Sequence, residues 1–191
     1  PTMTLPIAKQ GFPVHQVRRY LEPGPIVLIT SCHAGQRNVM TLGWQTVMEF
    51  SPSLVGCMIS AGNHSFELVR QSGECVINLP TLPLLDTVVK IGNCSGAEVD
   101  KFEAFGLATA KAERVAAPLL EQCHASFECR LYDDVLVEQY NFFIFEVVKA
   151  KVAPEPAHPE TLHYTGNGVF VVAGGRVVDR RELFRPDLLD D

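Results

Sequence analysis

Two β-branched runs on either side of a short polar turn constrain this chain more than any other feature. "PIVLITSC", from Pro25 to Cys32, follows the turn signal "EPGP". "HAGQR" then turns the chain into a second extended run, "GQRNVMTLGW", from Gly35 to Trp44. Such a pair reads as a β-hairpin. A third run, "LVGCMIS" from Leu54 to Ser60, follows the break "FSPS" with no helical segment between. Parallel neighbours need a crossover of a dozen or more residues, so these first three strands argue against a parallel sheet.

The rest of the chain adds strands with small helices inserted. "NHSFELVRQSG" predicts a short helix capped by Asn63 or Ser65, with Phe66, Leu68 and Val69 on its apolar side and Gly73 at its end. "ECVINLP" is a strand again. "PLLDTVVKIGNCSG" predicts a helix with Pro83 near its start and Gly92 near its end. "VDKFEAFG" and "APLLEQC" read as further helical turns. "HASFECRLYDD" alternates, with Ser126, Glu128 and Arg130 opposite Phe127, Cys129 and Leu131. "NFFIFEVVKAKV" is a long strand, apolar on both faces through Val148, and "GVFVVAGGRVV" a last one. The expectation is a mainly β protein with inserted α-helices, a barrel or a sandwich. One domain over 1–191 is expected, with an N-terminal extension over 1–24 and a C-terminal tail over 179–191.

Composition narrows the function classes. A net charge of -6, with no basic block interleaved with aromatics, argues against a nucleic-acid partner. No apolar run approaches a bilayer span, and the first residues contain no apolar stretch of signal-peptide length. The 6 cysteines are dispersed, and four lie inside strand-like runs where a free thiol behaves as a small hydrophobe. A cytoplasmic protein with reduced thiols is the expectation.

Several residues stand out chemically. In "MISAGNHSFELV" a strand passes through Ala61-Gly62 into a capped helix, a junction that offers backbone N–H groups and a positive dipole end to a phosphate. Ser60, Asn63, His64 and Ser65 add side-chain donors; the competing reading is a plain capped helix whose dipole Glu67 already complements. Lys101 sits among Glu98, Asp100 and Glu103, which also suits a solvated surface cation. Cys94 lies in the polar "GNCSG" with no cationic neighbour in sequence, as an ordinary loop thiol would. No metal-ligand spacing is present among the 6 histidines, and no hydrolase elbow, Walker loop or Rossmann fingerprint occurs. The one tryptophan, Trp44, is either a core residue or part of a surface for a flat ligand. Asn38, Thr41 and Gly43 on the same strand bring polar groups and close backbone approach, favouring the second reading.

Taken in order, "PIVLITSCHAGQRNVMTLGW", "GNHSFELVRQSGECVINLP", "SGAEVDKF" and "FECRL" resemble the flavin reductase-like, FMN-binding split-barrel family, with flavoredoxins nearest in kind. The resemblance runs from about Pro25 to Val178. It implies a six-stranded Greek-key split β-barrel, usually a homodimer, holding FMN non-covalently near the subunit interface. The implied activity is oxidoreduction, with electrons passing from NAD(P)H or a redox protein through the flavin. The alternatives are a non-enzymatic electron carrier and a split barrel without cofactor. Carried over residue by residue, Asn38, Val39, Met40, Thr41 and Trp44 would lie along the flavin. Ser60, Asn63, His64 and Ser65 would hold the phosphate, and Lys101 would be the cation near the phosphate or ribityl chain. No catalytic acid, base or nucleophile and no metal ligand is implied. Many relatives have a basic residue near Ser60 and Ala61; this chain has none there. Arg37 and Arg176 are further cations without an assigned place.

Overall fold

The computed structural model describes residues 8–10, 12–16 and 24–189, so most of the expected N-terminal extension lies outside the described residues. The opening hairpin is present as β1 (Val27–His33) and β2 (Gln36–Leu42). Its turn residues, Ala34 and Gly35, have φ of 50° and 79°, the left-handed pair that lets a two-residue loop follow the strand twist.

The second run is not one strand through Trp44. It stops at Leu42, and after Gly43 and Trp44 the chain resumes as β3 (Gln45–Glu49), which pairs with β4 (Leu54–Met58). With β5 (Glu74–Leu79), β8 (Ala125–Asp133) and β9 (Phe142–Val152), these form one antiparallel sheet in the order β2-β1-β5-β8-β9-β4-β3. β2 and β3 are therefore opposite edges of a 7-stranded sheet joined by two residues. Laid flat, those edges would stand roughly 29 Å apart, while two residues reach about 10 Å. The sheet has to curl into a split barrel, and Gly43-Trp44 is the corner that closes it.

Alternation along the strands divides the core. Val27, Ile29, Met40, Leu42, Phe143 and Phe145 point into the barrel, where Phe66 and Val69 of helix α1 (His64–Ser72) pack against them. Cys57, Cys75 and Cys129 fill the same interior as free thiols. The intervening residues Leu28 and Val39 face outward and are covered by Val88 and Ile91 of helix α2 (Leu85–Gly92) and by Phe102 of the short helix α3 (Lys101–Ala104).

"APLLEQC" is not a helical turn. Leu119 and Leu120 form β7 (Leu119–Leu120) and pair with β6 (Thr109–Ala110). The segment lies across the outer face of the sheet, where Pro118 O accepts from Thr30 Oγ1 and Leu120 N donates to Asn78 Oδ1. These buried sheet side chains satisfy the backbone of an extended segment, which outweighs its local helical tendency. Helix α4 (Val137–Tyr140) precedes β9. The last strand has a partner that periodicity did not mark: β10 (Thr161–Gly166) and β11 (Val169–Ala173) form a separate hairpin. It is tied back where Ile26 N donates to Leu162 O at 2.7 Å. Among the described residues, no helix is long and apolar enough to cross a membrane.

Candidate functional site

The strand-to-helix junction folds as its residue types dictate. Asn63 is the N-cap of α1, and its Oδ1 accepts from Ser65 N at 2.9 Å while its carbonyl accepts from Phe66 N at 3.0 Å. Gly73 ends the helix in the left-handed region at φ 65°. His64, the first helical residue, thus stands at the positive end of the helix, beside a cavity of about 180 Å³.

Two stretches far apart in sequence build that cavity: Gly62 to His64 on one side and Gly92 to Gly96 on the other, with Lys101 at its base. Among the described residues, none that lines it is acidic, although the chain has 22 carboxylate side chains against 16 lysines and arginines. Asn63, His64, Asn93, Ser95 and Lys101 all bring N–H or O–H groups to its wall. Such a donor set without a carboxylate suits a phosphate monoester.

Lys101 is 4% exposed, not the solvated surface cation its acidic neighbours suggested. Its Nζ donates to Val39 O and to Ile91 O, each at 3.0 Å. Asp100 does not pair with it; Asp100 Oδ1 caps α3 by accepting from Phe102 N and Glu103 N. Burial strips water from the ammonium and lowers its pKa from the ordinary lysine value, an effect Cys94 partly opposes. An ammonium has three N–H groups, so two backbone acceptors leave one for a ligand.

The strand residues contribute differently. Asn38 is buried, its Nδ2 donating to Ser65 Oγ at 2.9 Å, and its carboxamide lies directly beneath Gly96. Asn38 and Ser65 therefore tie β2, α1 and the 92–96 loop together behind the residues that line the cavity. Val39 is buried beneath α2, and Met40 is buried in the barrel. Thr41 Oγ1 donates to Val88 O at 2.7 Å. Trp44 is 48% exposed at the barrel corner, where its carbonyl accepts from Met58 N. Two residues beyond Met58 comes Ser60, exposed at the cavity approach, its carbonyl accepting from Asn63 N and its Oγ from Gly62 N. The segment 58–64 thus runs from the tryptophan to the cavity.

Residue-type patterns did not single out the 92–96 loop as a wall. Its signal was a polar, glycine-bracketed "GNCSG" directly before the Asp100-Lys101-Phe102 turn. Among the described residues, no group of three or more His, Cys, Asp or Glu is placed to hold a metal ion.

Comparison with known proteins agrees with this architecture. Residues 18–173 match the family model described as the flavin reductase like domain. The uncharacterized protein YddH of Escherichia coli strain K12 is 31% identical over 178 residues, 86% of this chain and 94% of its own. A crystal structure of an FMN-binding domain of a flavin reductases-like enzyme from Shewanella baltica superposes with a TM-score of 0.76 at 25% identity, covering 88% of this chain and 96% of that one. Flavoredoxin of Desulfovibrio vulgaris shares the fold with a TM-score of 0.74 at 18% identity, covering 93% and 97% of the two chains. The order of strands, the split barrel and the matched 156-residue span lead to one assignment: the chain belongs to the flavin reductase-like domain family.

Proposed function

We propose that this chain binds FMN non-covalently, with the phosphate in the acid-free cavity, and acts as an oxidoreductase that takes electrons from NAD(P)H or a redox protein. The observation that carries the reading is the buried Lys101 ammonium lining a cavity that has no carboxylate among its described wall residues. A buried cation costs free energy unless it is compensated, and two neutral carbonyls compensate it less well than an anion would. The missing basic residue near Ser60 leaves Lys101, His64 and the start of α1 to hold the charge. The FMN-binding Shewanella baltica relative supports the choice of ligand.

In this arrangement Asn63, His64 and Ser95 orient the phosphate, and Asn38 with Ser65 keeps their backbones in place. Trp44 and Ser60 stand where the ring system would leave the cavity. Bound flavin supplies the hydride and electron chemistry, so no side chain is assigned as acid, base or nucleophile. A homodimer fits as well. Edge strand β3 and its exit expose Val47 at 70% and Phe50 at 92%, with Trp44 and Met48 beside them. An apolar open edge of that kind calls for a cover, and a second copy is the occupant we assign. The six unpaired thiols fit a reducing cytoplasm.

An absorption spectrum of the purified protein, before and after FMN and then NADH or NADPH without oxygen, tests the reading. Flavin bands that bleach on adding the nicotinamide are expected. Bands that appear but do not bleach would exclude the nicotinamide as donor and leave a redox protein in that role. A colourless protein that ignores FMN would overturn flavin binding altogether.

A further inference from the structure

Two apolar surfaces of this chain face solvent, and they carry opposite charge. The first is the stretch that follows β11. Every residue from Val171 to Leu189 is exposed, although the stretch forms two 3-10 turns, Arg181–Leu183 and Pro186–Leu188. Leu183 is 76% exposed, and Phe184 and Leu188 are exposed beside it. Between Arg176 and Arg185 stand four arginines against Asp179 and Glu182, in a chain whose net charge is -6. The ion pairs Arg181–Asp179 and Arg185–Asp187 lie in solvent, so they hold the arginines only weakly.

The second surface is a groove of about 720 Å³ between α1 and the 131–141 segment. Phe66, Val137 and Phe143 of the barrel core form its floor. Glu67, Asp134 and Glu138 supply its carboxylates; Arg70 is the cation among its described lining residues, and Glu67 already engages it at 3.0 Å. The groove is continuous with the open β3 edge. Asn141 and Phe143 line it, and Phe142 between them rests against Gly56 together with Met48 of β3.

Resting on the homodimer reading above, we propose that the 176–189 segment of one copy seats in this groove of the other. Leu183 and Phe184 cover the apolar floor, and Arg180, Arg181 and Arg185 meet the acidic rim. Arginine and phenylalanine suit such a contact, because each covers apolar surface in a desolvated interface. The opposite charges select the groove over the other exposed faces. A second copy that covers the β3 edge already stands beside the groove, so its tail extends the same interface.

Disulfide trapping in the full-length protein tests this. Leu183→Cys and Val135→Cys are made in separate chains, both at exposed positions. Mixed and treated with copper phenanthroline, the two should give a covalent dimer that neither variant nor the unsubstituted protein gives alone. A chain carrying both substitutions should also run as a covalent dimer; an internally linked monomer would place the tail in its own groove and overturn the exchange. Asp134→Lys with Glu138→Lys should weaken the dimer about tenfold in sedimentation. Arg180→Glu with Arg181→Glu should do the same, and mixing the two charge-reversed proteins should restore affinity. Losses that mixing does not restore would overturn the charge match and the seating with it. An unsubstituted protein that sediments as a monomer would overturn the homodimer reading, and the exchange with it. A dimer without the mixed disulfide would overturn the tail seating alone.

Discussion

The backbone of Gly96 rests on the carboxamide of Asn38, so closely that a Cβ at position 96 would overlap the Asn38 side chain. The same carboxamide donates to Ser65 Oγ in the first turn of α1. One buried amide therefore sets the separation of the two walls of the cavity.

Gly96→Ala should for that reason destabilise the protein by about 1–3 kcal/mol through overpacking and weaken FMN binding. Asn38→Ala frees the space but removes the bond to Ser65. The double variant should therefore cost less than the sum of the two single ones. Urea unfolding of the four proteins checks it, and strict additivity would mean that the two residues do not touch.

Lys101→Met should lower FMN affinity far more than riboflavin affinity, because only FMN carries the phosphate. It also leaves Val39 O and Ile91 O without their donor, at a cost of about 1–3 kcal/mol. Paired with Asn63→Ala, which removes a cap worth about 1 kcal/mol, the selectivity should widen. Calorimetric titration with both flavins measures it; equal losses would count against the phosphate position.

The lowered pKa of Lys101 sets two pH trends of opposite sign. Without ligand, the folded protein releases this proton at lower pH than the unfolded chain does. Lys101 therefore makes stability rise with pH between the folded and unfolded values. A bound phosphate favours the protonated ammonium, so the ratio of FMN to riboflavin affinity should fall as pH rises through the lowered value. Titrations from about pH 7 to pH 10 should show a several-fold fall, absent in Lys101→Met.

Thiol reactivity should follow position. Cys57 and Cys75 lie fully buried, and burial raises both thiols well above their usual range. Cys123 is pushed up to about 12 by the same cause. Cys94 is half-buried in the wall of the cavity between residues 62–64 and 92–96, where FMN is proposed to place its phosphate. It should react with a maleimide well before those three, and saturating FMN should slow it. Peptide mapping after brief labelling decides this; labelling indifferent to FMN would place the ligand elsewhere.

Glu128 is a buried carboxylate on β8 that accepts from Glu113 N and Arg114 N and so fastens the 111–117 loop to the sheet. Glu128→Ala should cost about 1–3 kcal/mol by leaving those amides without acceptors. The loop should then become the first site of limited proteolysis, with flavin affinity unchanged. An unaltered cleavage pattern would show that the carboxylate is not what holds the loop.

Residue order alone determined the elements whose signals are local. The Ala34-Gly35 turn, the Asn63 cap, the Gly73 stop and the helix ending at Gly92 depend on side chains and backbone preferences within a few positions. Motif order carried the family as well. Tertiary structure alone decided what long-range closure produces. The break at Gly43-Trp44 is invisible in strand periodicity, because it exists only where two edges of a curled sheet meet. Leu119 and Leu120 are extended because buried side chains of β1 and β5 reach their segment, whose local sequence suits a helical turn equally well. Lys101 reads as a surface residue among acidic neighbours and becomes a buried ammonium only when α2 and β2 bring two carbonyls to it. That 62–64 and 92–96 face each other across one cavity has no sequence signature, since the two segments meet through Asn38, a residue belonging to neither.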